Sequence, residues 1–194
     1  MKLKDTDNTT HIVAIIDRSG SMAHLVNDSI GGFNSFLREQ RKLPGKAKIS
    51  TVLFNGSIDF LCDDVDINEA PELSTLNYKT TGGTAMNDAI GQSLTKLLAK
   101  SPSRAIVCIL TDGEENASRE YTAAGVKALI EQARAKDYAV VFLAANQDAF
   151  QAGTKLGIMN NHNYKADSIG TRSAYATLSA SATNYRNEPA NGNN

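Results

Sequence analysis

Three unbroken apolar runs, at residues 12–16, 105–110 and 139–145, constrain this chain more than any other feature. Each is too short to cross a bilayer, which takes about 20 apolar residues. None alternates with polar residues, as a strand with one wet face would. Runs of this kind suit the central strands of a parallel sheet covered by helices on both faces. Between and after them stand apolar stripes of helical spacing. Val26, Ile30, Phe33 and Leu37 form the first, which Pro44 and Gly45 close. Met86, Ile90, Leu94 and Leu97 form a second. Val126, Leu129, Ile130 and Ala133 form a third, with Thr122 as its N-cap. Tyr175, Leu178, Ala182 and Tyr185 form the last, capped by Asp167 or Ser168.

A further strand over residues 49–54 meets a run at 58–62 across Asn55-Gly56, a dipeptide suited to a type I′ hairpin turn. That pair is antiparallel, and the alternation of Ile58, Phe60 and Cys62 marks an edge strand. Residues 63–80, rich in Asp and Glu, read as a long acidic connection. The expected architecture is α/β: a doubly wound, mostly parallel open sheet with an antiparallel edge strand and helices on both faces. One domain spans residues 10–186, and the polar residues 187–194 form a disordered tail.

Lys and Arg total 20 against 21 Asp and Glu, a net charge of −1. This balance argues against a surface for nucleic acid or an anionic membrane. Two cysteines, Cys62 and Cys108, make neither a disulfide framework nor a zinc site. With no signal-peptide pattern at the start of the sequence, the expected location is the cytoplasm.

In a doubly wound sheet, ligands bind beyond the carboxyl ends of the strands, where the strand order reverses. Two carboxylates fall at such ends: Asp17 after the first run and Asp112 after the run at 105–110. Brought into one crevice they repel, unless a cation or a shifted ionisation relieves them. Ser19 and Ser21 set two hydroxyls beside Asp17, and Thr84 follows Gly82-Gly83 ahead of a helix. Carboxylate and hydroxyl oxygens are hard ligands that suit Mg²⁺, Mn²⁺ or Ca²⁺.

Asp17-Arg18-Ser19-Gly20-Ser21, Gly82-Gly83-Thr84 and Thr111-Asp112-Gly113, in this order, resemble the von Willebrand factor type A (VWA) domain. The resemblance runs over roughly residues 10–186 and is strongest to small stand-alone members from bacteria and phages. It implies a Rossmann-like fold and a metal-ion-dependent adhesion site (MIDAS) with none of its five residues replaced. Ser19, Ser21 and Thr84 would hold Mg²⁺ directly, with Asp17 and Asp112 acting directly or through water. A partner protein's Asp or Glu would complete the coordination. The implied role is interaction and not catalysis.

Other residues invite plainer readings. Asp88 suits charge compensation at a helix N-terminus, or orientation of a ligand. Glu114, Glu115 and Asn116 read as solvated residues at the rim. His24 reads as a surface or capping residue, and Arg38, Arg41, Lys42, Lys46 and Lys48 as a solvated helix end. Two alternatives use the same crevice: a Mg²⁺-dependent enzyme acting on phosphoesters or nucleotides, and an assembly component whose metal serves stability alone. The first lacks the acid two residues after Asp17 that a dehalogenase-type phosphatase uses as proton donor, since Ser19 stands there. Neither a phosphate-binding P-loop nor a nucleophile elbow occurs in the sequence. Oligomeric state and the partner's identity are not written in these residues.

Overall fold

The computed structural model describes residues 8–189. Six strands, β1 (Thr10–Asp17), β2 (Ala47–Phe54), β3 (Ile58–Asp66), β4 (Arg104–Thr111), β5 (Ala139–Ala144) and β6 (Asn160–Asn163), form one sheet. Their order is β3-β2-β1-β4-β5-β6. Only β2 and β3 pair antiparallel; all other neighbours are parallel. The unbroken apolar runs are β1, β4 and β5, the buried centre of the sheet, as expected for strands covered on both sides.

Side chains alternate across β1 and so feed two cores. Ile12, Ala14 and Ile16 pack with Phe33, Leu37, Tyr175 and Leu178, beneath α1 (Val26–Lys42) and α5 (Ser168–Asn187). Val13 and Ile15 pack with Ile90, Leu94, Val126 and Ile130, beneath α2 (Met86–Lys100) and α3 (Ala123–Arg134). The caps follow the sequence reading: Thr122 accepts from Gly125 N, and Asp167, not Ser168, accepts from Gly170 N. Asn187 is the last residue of α5, and residues 190–194 of the expected tail lie outside the described residues. Among the described residues, no helix is long and apolar enough to cross a membrane.

Three expectations need correction. The β2–β3 connection pairs Phe54 with Ile58, so it holds three residues. Neither Asn55 nor Gly56 takes the positive φ that a type I′ turn requires. Asn55 builds the turn with its side chain instead, its Oδ1 accepting from Ser57 N at 2.9 Å. The acidic stretch is not a connection throughout, because Asp63, Asp64 and Asp66 belong to β3. Asp64 sits at φ 61 beside a register shift, and this bulge breaks the alternation that would have marked the strand. Lys96 and Lys100 reach Asp63 at 3.0 Å, and Lys48 reaches Asp64 at 3.3 Å. Finally, α4 (Gln147–Lys155) and β6 have no counterpart in the sequence reading. Asn160-Asn161-His162-Asn163 is a polar edge strand, and α4 buries only Ala149 and Gly153.

The order places β1 between β2 and β4, so the chain leaves β1 in one direction and returns to its other side. That reversal sets Asp17 level with Thr111, since Ile16 pairs with Leu110. The loops beyond these two strand ends form the candidate site.

Candidate metal centre

Asp17 is the last residue of β1 and is fully buried. After it the chain turns sharply into a 3₁₀ turn (Gly20–Leu25). Ser19 N donates to Asp17 Oδ1 at 2.6 Å, and the Thr111 hydroxyl donates to Asp17 Oδ2 at 2.6 Å. Behind the carboxylate, the buried Tyr78 hydroxyl donates to the Asp17 carbonyl at 2.6 Å. Burial pushes the Tyr78 phenol above its ordinary range, so it stays protonated as a donor. The turn is pinned from outside by Arg18 N to Phe54 O (2.7 Å), Gly20 N to Gly82 O (3.0 Å) and Thr81 N to Arg18 O (3.1 Å). Gly82 takes φ +72, a conformation that favours glycine.

The structure brings all five sequence-predicted residues together. Ser21 donates to Asp112 Oδ1 at 2.5 Å, and the Ser19 and Ser21 hydroxyls lie 2.9 Å apart. A Cβ added to Gly113 would stand 2.7 Å from Thr84 Oγ1 and 3.5 Å from both Asp17 Oδ2 and Ser21 Oγ. One small volume beside Gly113 is therefore faced by donors from the β1 turn and from the loop before α2, and a side chain there would fill it.

Asp112 is only 6% exposed, so two carboxylates are buried in one crevice. Burial, together with repulsion from Asp112, holds the Asp17 carboxyl up at about 6 against the donors from Thr111 and Ser19. Burial also raises Asp112. Buried acids of this kind are costly unless a cation or proton compensates them. Among the described residues, no group of three His, Cys, Asp or Glu is placed to hold a metal. The centre is made instead from two carboxylates and three hydroxyls, a donor set fitting a hard divalent cation.

The sequence reading treats Glu115 and Asn116 as solvated rim residues and sets Asp88 at a helix N-terminus, where it stands, without its partners. Asn116 is no mere rim residue: its Oδ1 accepts from Thr84 N at 2.9 Å, while its own N donates to Thr84 O at 3.0 Å. Glu115 accepts from Asn87 N at 2.7 Å at the start of α2, and from Ser118 N and the Ser118 hydroxyl. In the reverse direction, Asp88 on α2 accepts from Arg119, Glu120 and Tyr121 N at 2.8–2.9 Å. Asn146, the N-cap of α4, also donates through its side chain to the Asp112 carbonyl. The only sequence sign of that contact is the capping residue itself, immediately before a short polar helix.

His24 sits over the 3₁₀ turn with one ring nitrogen 2.9 Å from Ser21 O and the other 3.0 Å from Ala166 O. The Nδ1 contact stays within the turn, and the Nε2 contact links the turn to the segment before α5. The basic cluster is likewise occupied in part, with Arg41 donating to Ile67 O at 3.0 Å and Ala70 O at 2.7 Å.

Over residues 3–162 the chain matches the family described as VWA domain containing CoxE-like protein. No curated protein matches it. Solved structures share its fold at low identity. The PilB minor pilin from Streptococcus sanguinis is 8% identical with a TM-score of 0.69, over 97% of this chain and 65% of that one. The ArnB paralog VWA2 from Sulfolobus acidocaldarius is 18% identical with a TM-score of 0.61, over 87% and 44%. Proximal thread matrix protein 1 from the mussel byssus, with a zinc-occupied MIDAS motif, is 12% identical with a TM-score of 0.66, over 93% and 47%. The chain spans less than two thirds of the length of each of these proteins.

Proposed function

This chain belongs to the family of VWA domain containing CoxE-like proteins, and on that premise we propose that it is a divalent-metal-dependent protein-interaction module. Asp17, Ser19, Ser21, Thr84 and Asp112 would hold the ion, Mg²⁺ in the first instance. The observation that carries this reading is the convergence of their oxygens beside Gly113, at the open end of the sheet. A bound divalent cation supplies a Lewis-acidic position that an outside carboxylate can occupy.

The chain's own residues do the rest. Asp17 and Asp112 contribute the charge that an ion neutralises, at a cost in burial already met by folding. Both Asp17 oxygens are engaged, by Ser19 N and by Thr111, which suits a fixed ligand better than a nucleophile free to move. Two carboxylates leave a divalent ion with no surplus negative charge around it, so a third carboxylate, from a partner's Asp or Glu, remains attractive. A zinc-occupied MIDAS in a protein of the same fold supports a metal at this position. VWA domains at large are interaction modules, and a pilus-tip protein of Porphyromonas gingivalis carries one.

The test is capture of a partner by the immobilised protein in Mg²⁺ and in chelator, with Thr84→Ala alongside. A protein retained by the wild type in Mg²⁺, and lost both in chelator and by Thr84→Ala, supports the proposal. Retention unchanged by chelator contradicts it.

A further inference from the structure

Asp112 and Thr84 lie far apart in sequence yet ride on one body. The segment from Asp112 to Tyr121 and the N-terminus of α2 exchange hydrogen bonds in both directions: Glu115 to Asn87 N, and Asp88 to the backbone of residues 119–121. At the centre of this exchange, Asn116 grips Thr84 on both sides of its peptide backbone, at 2.9 and 3.0 Å. A Cβ on Gly83 would stand 2.7 Å from Asn116 Oδ1 and 3.1 Å from Ala117 Cβ, so the loop before Thr84 lies directly against the clamp. The opposite ligands, Asp17, Ser19 and Ser21, are fixed on the β1 turn by Tyr78, Thr111 and the contacts to Phe54 and Gly82. Thr111 and Gly82 stand next to Asp112 and near Thr84, so these contacts tie the β1 turn to that body and hold the centre in one frame.

Stiffness selects ions by size. Mg²⁺ requires near-octahedral ligands at about 2.0–2.1 Å, whereas Ca²⁺ accepts more ligands, at about 2.3–2.6 Å, in adaptable geometry. Residues that orient ligands without touching the ion commonly alter metal affinity by about 10–100-fold. We propose that Asn116 is a positioning residue that sets the preference of this centre for the smaller ion, by preventing Thr84 from withdrawing. The proposal rests on the metal-binding reading above. Asn116 acts only through Thr84, and its effect is on the ratio of two affinities. A substitution that simply weakened the fold would lower both together.

The experiment is calorimetric titration of Mg²⁺ and of Ca²⁺ into the wild type, Asn116→Ala and Asn116→Asp. Amide hydrogen exchange at Thr84 is followed in the metal-free proteins. Asn116→Ala is expected to lower the Mg²⁺ to Ca²⁺ affinity ratio about tenfold and to speed exchange at Thr84. Asn116→Asp, which keeps the accepting oxygen, is expected to retain the wild-type ratio. A wild type that binds metal, with a ratio unchanged in Asn116→Ala, overturns this inference alone. A wild type that binds neither ion overturns the metal-binding reading and this inference with it.

Discussion

The Thr111 hydroxyl, at the end of β4, donates to Asp17 Oδ2 at 2.6 Å across the boundary between two neighbouring parallel strands. The same oxygen, Thr111 Oγ1, accepts from Gly113 N at 3.1 Å. One side chain thus ties the acid of the first strand to the loop that carries the second acid. It is also the strongest donor acting against the burial that pushes Asp17 up to about 6.

That value sets a pH dependence. The folded protein holds the Asp17 proton more tightly than the unfolded chain, whose Asp titrates near 3.9. From there up to about 6 the metal-free fold loses stability from this group as pH rises, and the loss is complete above it. An ion at the centre competes with that proton, so the gain in Tm produced by Mg²⁺ should grow between pH 5 and pH 7. Below about 6, affinity should fall roughly tenfold per pH unit. Thermal unfolding with Mg²⁺ and with chelator across this range checks it; a Mg²⁺ gain that is flat from pH 5 to 7 contradicts it.

Tyr78→Phe removes the donor to the Asp17 carbonyl and leaves that buried acceptor without its partner. The expected loss is about 1–3 kcal/mol of stability. Urea unfolding measures it, and an unchanged midpoint would count against the role given to this phenol.

The two adjacent glycines of α1 should respond in opposite directions. A Cβ on Gly32 would lie 2.2 Å from the Tyr175 ring, whereas a Cβ on Gly31 meets nothing within 4 Å. Gly32→Ala should cost about 1–3 kcal/mol by forcing α5 away from α1. Gly31→Ala should add about 0.5–1 kcal/mol, because alanine loses less freedom than glycine in a helix. Melting temperatures of the two variants decide the matter, and shifts of the same sign would show that the α1–α5 packing is described wrongly.

How much of this was readable beforehand depended on whether a residue's role leaves a pattern in its neighbours. The central strands are readable because burial on both faces forbids polar interruptions, as at residues 12–16. The five centre residues are readable because each follows a strand end or precedes a helix, where a doubly wound sheet gathers its ligands. β6 escapes because an edge strand of Asn and His needs no apolar residues. β3 is readable only as far as Cys62, because the bulge at Asp64 reverses the alternation. Asn116, Glu115 and Asp88 escape for another reason: they bond to the backbone of a segment distant in sequence, and backbone partners leave no mark on composition or spacing. The hairpin turn departs from the type I′ expectation because Asn55 acts through its side chain and not through positive φ.

Five side chains from three loops are proposed to form one divalent-cation centre beside Gly113. Calorimetric titration of Mg²⁺ into the wild type, Thr84→Ala and Gly113→Ala tests it most directly, with circular dichroism to show that all three are folded. The wild type should bind one ion, and Thr84→Ala should bind at least about tenfold more weakly. Gly113→Ala should lose binding as well, because its methyl group would occupy the volume that the donors face, 2.7 Å from Thr84 Oγ1. Equal Mg²⁺ affinity in all three proteins, or no binding by the folded wild type, would contradict the claim.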